Sequence, residues 1–306
     1  VSHKKDIDIL AVAGIDVDLV LKVPELPSHD EKVIGQMVGW LPGGPAANFA
    51  CAASRLGLRV SSLSNVGDDE GGQLIIDDFQ RYGVDTSLMQ VRHQAESPFT
   101  VILIDPTGEK AIVVVPTLNN QFSPELVASV MPRTRFMYIM PQEHELFFTL
   151  AQQAHRHGAE VAIDVEPTVG AQRQKLEQIL AHTDIASFNQ DGFTAATGQP
   201  PTIAAARALL DLGPHTVVVT RGAAGSLVVT PTEAAEAPGF KVSVADTTGA
   251  GDTFNAAFLT ATLQNKPLAE RLRFANAAAA ISVTVVGPRG KLPTVEEIER
   301  FLEENE

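Results

Sequence analysis

The sequence predicts an α/β fold with a mostly parallel central sheet covered by helices on both faces, and three observations carry that prediction. Short β-branched runs alternate with segments of helical spacing along most of the 306 residues. Several of the runs are apolar throughout, as strands are when helices cover both sheet faces. Many helical segments close on Gly or Asn, which suit left-handed C-terminal caps. Such alternation winds into a parallel sheet with ligands at the carboxyl ends of its strands.

The elements follow in order. IDILAVAG (7–14) reads as a buried first strand. Asp8 interrupts it, Asp16 and Asp18 follow it, and no small-residue cleavage site appears, so the basic start is not read as a signal segment. From Asp16 to Trp40 the chain is rich in Val and Ile, carries the turn signal PELPSHDE and has no helical face, which reads as extra strands. A helix (PAANFACAASRLG, 45–57), a strand (VSSLSNVG, 60–67) and a second helix (GGQLIIDDFQRYG, 71–83) come next. FTVILIDPTGEKAIVVV then reads as a hairpin closed by its DPTG turn. The two irregular stretches, about 16–40 and 98–116, are expected to form one small sheet projecting from a single domain that spans 1–306.

Further strands are read at RFMYIM (135–140), EVAIDV (160–165), DIASFN (184–189), TVVVT (216–220) and SLVV (226–229). Helices are read at 144–158, 203–213 and 250–265, with an acidic one at the end of the chain. The alanine-rich FANAAAAISVTVV is shorter than the ~18 apolar residues a membrane span needs, and it carries Asn276, Ser282 and Thr284.

A formal charge of −14, from 23 basic and 37 acidic residues, argues against partners gripped through phosphate backbones or anionic lipid. No nucleic-acid or membrane partner is expected. The single cysteine, Cys51, excludes an internal disulfide and a cysteine-built zinc site, and it suits a reducing compartment, so a cytoplasmic protein is expected. The eight histidines show no zinc-ligand spacing.

The strongest motif is ADTTGAGDTFNAAFLTA (245–261). Gly249, Ala250 and Gly251 open a helix, where small residues let backbone N–H groups face an anion with the helix dipole assisting. Asp252 stands beside that cradle and can accept a proton from a substrate hydroxyl, which points to phosphoryl transfer. The bland alternative is a capped helix with Asp252 as its N-terminal acid.

DTTGAGD and GGPAANFACAASRLG (43–57) together resemble the two signatures of the ribokinase-like, or PfkB, family of carbohydrate and nucleoside kinases, in the right order. The resemblance runs from AGIDVDLV to RFANAAAAISVTVVG. It implies a ribokinase-like three-layer α/β/α fold whose small sheet is a lid, and the phosphorylation of a sugar hydroxyl by Mg·ATP. Asp252 would be the base, and the Gly249, Ala250 and Gly251 amides would stabilise the transferring phosphoryl group. Gly43, Gly44, Asn48, Asp16 and Asp18 would bind the sugar. Thr220, Gly222 and Gly225 in TRGAAGS would line the ATP phosphates and ribose, and Asn276 would lie near the adenine.

Asn189 would begin the family's NxxE element, which orders magnesium-bound water. Its glutamate falls at Gly192 here, so Asn189 is left with neighbouring Asp191 on a helix face about 100° away. Asp246 and Thr248 match positions that hold potassium in many members. The resemblance also implies a homodimer formed through the lids, and Trp40 could cover substrate or a partner subunit.

The acceptor stays open. Pro45 replaces a lysine of some ribose-specific members, and Trp40, Phe49 and Phe99 are the aromatics available to a nucleoside, the alternative acceptor. An acidic sugar would call on Arg92 or Lys110. A sugar- or nucleotide-binding regulator without turnover is the competing class, motivated by Gly192 and opposed by Asp252. A Rossmann dehydrogenase lacks its GxGxxG, since AGIDVD occupies that place.

Overall fold

The computed structural model describes residues 5–305, and the tip of the basic start, residues 1–4, lies outside them. Strand β1 (Ile7–Val12) is buried along its whole length. Asp8 is accommodated within it because the Arg59 guanidinium forks onto both carboxylate oxygens, at 2.8 and 2.9 Å. Ala13 and Gly14 then take left-handed φ values of 54° and 59°. That turn throws the chain out of the main sheet into β2 (Asp16–Lys22) and β3 (Gln36–Gly43). Helix α1 (Pro45–Arg55) starts on a proline, whose fixed φ and missing N–H suit a first turn. Strand β4 (Val60–Leu63) returns beside β1.

The run expected as one strand over 60–67 divides after Leu63. Asn65–Gly67 forms β5 and, across helix α2 (Glu70–Tyr82), pairs with β6 (Gln90–Arg92) in a sheet of its own. Strands β7 (Phe99–Ile104) and β8 (Lys110–Val115) form the expected hairpin. Its turn is closed by Asp105, whose Oδ1 accepts from the Thr107 and Glu109 N–H groups at 2.8 and 3.0 Å.

The rest of the chain alternates. Helix α3 (Pro124–Val130), β9 (Thr134–Ile139), α4 (His144–Arg156) and β10 (Glu160–Val165) are followed by the short α5 (Pro167–Gly170) and by α6 (Arg173–Leu180). Then come β11 (Ile185–Asn189), α7 (Gln190–Thr197), α8 (Ile203–Leu210), β12 (Thr216–Thr220), β13 (Ser226–Val229) and β14 (Ala234–Ala237). Helices α9 (Ala250–Leu263), α10 (Leu268–Ser282) and α11 (Val295–Glu304) complete it. Helix α6 is not among those read from the sequence, although Leu176, Ile179 and Leu180 of RQKLEQIL fall at i, i+3 and i+4 and form its buried face.

The main sheet has eight strands in the order β14-β13-β12-β11-β10-β9-β1-β4, parallel from β12 to β4, with β13 antiparallel to both of its neighbours β12 and β14 at one edge. Neighbouring residues of one strand serve opposite cores: Val218 packs with α1, α9 and α10, while Val217 and Val219 pack with the helices of the other face. This is the three-layer α/β/α arrangement. The smaller sheet has the order β3-β2-β7-β8, with β2 and β7 parallel and the outer pairs antiparallel. Strand β3 runs past Trp40 to Gly43, so the first motif glycine lies directly opposite Asp16. Among the described residues, no helix is long and apolar enough to cross a membrane.

Candidate active site

Asp16 and Asp18 alternate on β2, so both carboxylates stand on one face of the small sheet. Gly43 faces them. A Cβ at that position would lie 2.3 Å from Asp18 Oδ2 and 2.6 Å from Asp16 Oδ1, so only glycine leaves the two carboxylates their room. The Thr100 hydroxyl on β7 donates to Asp18 Oδ1. Asp16 Oδ1 is buried with no hydrogen-bond partner among the described residues. Buried acceptors are seldom left so, and this one is available to a ligand hydroxyl. Burial and the charge of Asp18 push the Asp16 carboxyl up to about 7, and burial also raises Asp18.

Asn48, in the first turn of α1, is buried, and its Nδ2 donates to Asp252 Oδ2 at 2.9 Å. Asp252 sits in the first turn of α9 and is 9 % exposed. Burial pushes its carboxyl up to about 7; the Asn48 hydrogen bond opposes the rise, and the charge of Glu166 adds to it. Ahead of it, Gly249 begins α9, and the Ala250 N–H turns back to the Thr247 carbonyl at 3.2 Å. Among the described residues the N–H groups of Gly249 and Gly251 have no acceptor, and beyond its own helix neighbours no atom lies within 4 Å of where a Gly251 Cβ would be. The open part of the cradle is therefore at Gly249 and Gly251, with Ala250 engaged in holding the turn.

Asp246 supports that turn from below. It accepts from the Thr248 N–H at 3.0 Å, the Thr248 hydroxyl at 2.7 Å and the Gly287 N–H at 3.0 Å. Burial works against its charge, but these bonds and the Lys110 ammonium hold its carboxyl below the usual range. Lys110 reaches in from β8, donating to the Thr248 hydroxyl and standing 3.4 Å from Asp246 Oδ1. Of the two cations considered for an acidic sugar, Lys110 is at the site, whereas Arg92 donates to the Gln121 carbonyl at 2.6 Å on an exposed surface.

A cavity of about 510 Å³ opens beside the cradle, and Thr220, Gly222, Gly225, Ala250, Gly251 and Asn276 all line it. Its other walls are the Gly239–Val244 segment and one face of α10. Thr220 pairs in register with Asn189, so two expected nucleotide residues meet at the carboxyl ends of β11 and β12. Asn276 is committed to the protein: its Oδ1 accepts from the Ser226 hydroxyl at 2.9 Å, and its Nδ2 donates to the Ala237 and Pro238 carbonyls at 3.2 and 3.1 Å. It shapes the wall rather than offering hydrogen bonds to a base. A cavity of about 410 Å³ among α6, α7 and α8 contains none of the expected residues.

Paired carboxylates over Gly43, the buried Asp252 carboxylate, the open amides before it and the cavity beside them thus adjoin one another. The sequence pattern of the pfkB family carbohydrate kinases matches residues 7–295. The chain belongs to that family.

This pfkB kinase is 32 % identical over 300 residues to a ribokinase from Bacillus subtilis, with 96 % of this chain and 99 % of the relative covered. It is 27 % identical over 297 residues to an ATP-dependent ribose-1-phosphate kinase from Halopiger xanaduensis, covering 97 % and 98 % of the two chains. Its fold matches that of Arabidopsis thaliana ribokinase complexed with ribose and ATP, with a TM-score of 0.86, 24 % identity and coverage of 97 % and 98 %. It is an ATP-dependent sugar kinase.

At Gly192, where the resemblance implied a glutamate, the structure leaves no room for a side chain. A Cβ there would lie 2.2 Å from the Val165 carbonyl, because the start of α7 rests on the end of β10. Asn189 caps α7, accepting from the Gly192 N–H at 2.6 Å, and Asp191 is exposed. Glu166 follows Val165, which is paired with Phe188, and so it stands at the strand end beside Asn189. Sequence reading passed over Glu166, Arg289, Lys241 and the Phe240–Val244 wall. It could have found Ala279, Ala280 and Val283, which line the cavity with Asn276 at helical spacing.

Proposed function

We propose that this pfkB kinase transfers the terminal phosphoryl group of ATP to a primary or anomeric hydroxyl of a small sugar held over Gly43. The Asn48–Asp252 hydrogen bond carries this reading, since it joins a sugar-binding side chain to the base. Asp16, Asp18 and Asn48 hold the hydroxyls, with Asp16 Oδ1 as the acceptor still free. Asp252 takes the proton of the attacking hydroxyl, and the Gly249 and Gly251 amides face the charge that develops on the phosphoryl oxygens. Such catalysis rests on positioning and electrostatics. Ribose is the first acceptor to try, given the name of the Bacillus subtilis relative.

Lys110 favours a second reading. Its ammonium opposes the burial that raises Asp18 on one side and helps hold Asp246 down on the other, so it stands between the carboxylates of β2 and the cradle. An acceptor bearing its own anionic group, such as the phosphorylated pentose in the name of the Halopiger xanaduensis relative, would meet a cation there. Nucleosides come after these, with Trp40 and Phe99 paired edge to face at 6.0 Å on the small sheet.

Magnesium fits the donors present. No group of three or more His, Cys, Asp or Glu among the described residues is placed to hold an ion alone. This suits an ion that arrives on nucleotide phosphates and keeps its water. Asn189 and Glu166, rather than Asp191, would receive it, and it would neutralise charge between the phosphates. Potassium at Asp246 and Thr248 competes with Lys110 for the same role: a rate stimulated by potassium over sodium assigns Asp246 to the ion, and equal rates assign it to Lys110.

The small sheet serves as a lid and as the homodimer surface in this reading. Trp40, Leu41, Ile112, Val113 and Val114 are exposed on it, and apolar area of that kind favours burial. V113D should convert a dimer into a monomer in light scattering; a monomeric wild type would remove the dimer. The setting is cytoplasmic, in keeping with buried, unpaired Cys51. The deciding experiment is ADP release against ribose, ribose phosphates, ketoses, sugar acids and nucleosides, with D252N as control. Sugar or nucleotide binding without acceptor-dependent ADP release would make the chain a regulator instead.

A further inference from the structure

Arg289 joins parts of the molecule that lie far apart in sequence. It stands in the loop between α10 and α11, and its side chain is 7 % exposed. Its Nε donates to Asn48 Oδ1 at 2.9 Å, its Nη2 donates to the Gly43 carbonyl at 2.9 Å, and its Nη1 pairs with Asp78 on α2. All three guanidinium nitrogens thus donate to the chain itself. The same loop borders the phosphate cradle. Gly287 donates to Asp246 Oδ2 at 3.0 Å, and a Cβ on Gly249 would lie 2.8 Å from Pro288 Cβ.

A side-chain amide has a donor end and an acceptor end of nearly equal shape. Flipped, Asn48 would turn its oxygen toward the Asp252 carboxylate and leave that oxyanion without a donor. The Arg289 Nε–H can only donate, so it accepts only the oxygen end of the amide as partner and sends Nδ2 toward Asp252. The guanidinium charge also opposes the burial that raises Asp16, Asp18 and Asp252.

We propose that Arg289 is a positioning residue: by holding Asn48 Oδ1 and the Gly43 carbonyl, it fixes the Asp252 carboxylate and ties the phosphate cradle to the acceptor pocket. The proposal rests on the reading of Asp252 as the base.

The test is a double-mutant cycle. R289K and R289Q are measured alone and in an N48A background, with ATP and the best sugar of the panel above, D-ribose being the starting probe. In R289Q, kcat should fall about 10- to 100-fold, as expected for a misplaced reacting group, with the KM for ATP changed less than about threefold. The acid limb of its rate profile should move to higher pH, while R289K, which keeps the charge, should lose rate without that move. In the N48A background, R289K should cost less than about twofold more, because its effect runs through Asn48. A residue that served only to hold the loop would lower the melting temperature and leave the cycle additive. R289K keeps a cation beside Asp78, so it decides the matter if R289Q fails to fold. Variants within twofold of wild type, or losses that multiply with N48A, overturn the proposal. D252N turning over at the wild-type rate would instead overturn the base assignment, independently of Arg289.

Discussion

The Asn48 amide donates to Asp252 Oδ2 at 2.9 Å across 204 positions of sequence. The contact binds the start of α1 to the start of α9, and so, in the proposed reading, the acceptor side of the site to its base. Removing the carboxylate in D252N should lower kcat by about 10²–10⁴, the usual worth of a positioned base. ATP affinity by calorimetry should hold. Retained turnover would show that another group takes the proton.

The rate should follow ionisation of that carboxylate. With Asp252 raised to about 7, kcat/KM should climb with pH through about 7 and then level. N48A removes a hydrogen bond that favours the charged form, so its climb should lie at higher pH. Rate profiles from pH 5.5 to 9 on both proteins check this, and coincident limbs would detach Asn48 from the titration.

The same burial costs stability. The carboxyl titrates at 3.8 in an ordinary setting and at about 7 in the folded protein. Between those values the folded chain holds a proton that the unfolded chain has released, so stability falls as pH rises through the window and stays reduced above it. D252N should therefore be more stable than wild type at pH 8, by on the order of 1–4 kcal/mol. The gap should narrow toward pH 5. Denaturant melts at both values measure it, and an unchanged gap would point to a cause other than the charge.

Gly43 leaves no room for a side chain. G43A places a Cβ 2.3 Å from Asp18 Oδ2 and 2.6 Å from Asp16 Oδ1, so those carboxylates must move. The KM for the acceptor should rise at least tenfold, on the order of a lost hydrogen bond or two to a charged group, while ATP binding stays as it was. Equal damage to ATP binding would mean a collapsed loop instead.

Restoring the family's glutamate should fail for a packing reason. In G192E the new Cβ meets the Val165 carbonyl at 2.2 Å, and backbone cannot swing aside as a side chain can. A loss of about 1–3 kcal/mol is expected from overpacking alone, and G192A should share it. E166Q should leave stability near wild type and weaken manganese binding to the ATP complex, read by electron paramagnetic resonance. If E166Q binds manganese normally, Glu166 has no part in receiving the ion.

Local signals carried much of this in sequence. DTTGAGD names the cradle and Asp252 because neighbouring residues build both, and β1 and β12 are legible because each is apolar enough to be buried on two faces. What stayed hidden depends on contacts between distant segments. Nothing in GPRG shows that Arg289 meets Asn48, Gly43 and Asp78, since those partners come from β3, α1 and α2. Gly192 reads as a lost catalytic group until Val165 is seen against it. The split of 60–67 follows from β5 finding β6 across α2, a pairing that no periodicity announces.

Arg289 also bears on how the protein comes into being. Gly43 and Asn48 leave the ribosome early, Asp252 and the 246–251 turn much later, and the Arg289 guanidinium that touches Asn48 and Gly43 later still. A nascent chain halted between α2 and α9 holds Asp16, Gly43 and Asn48 but has neither Asp252 nor Arg289 to complete their contacts.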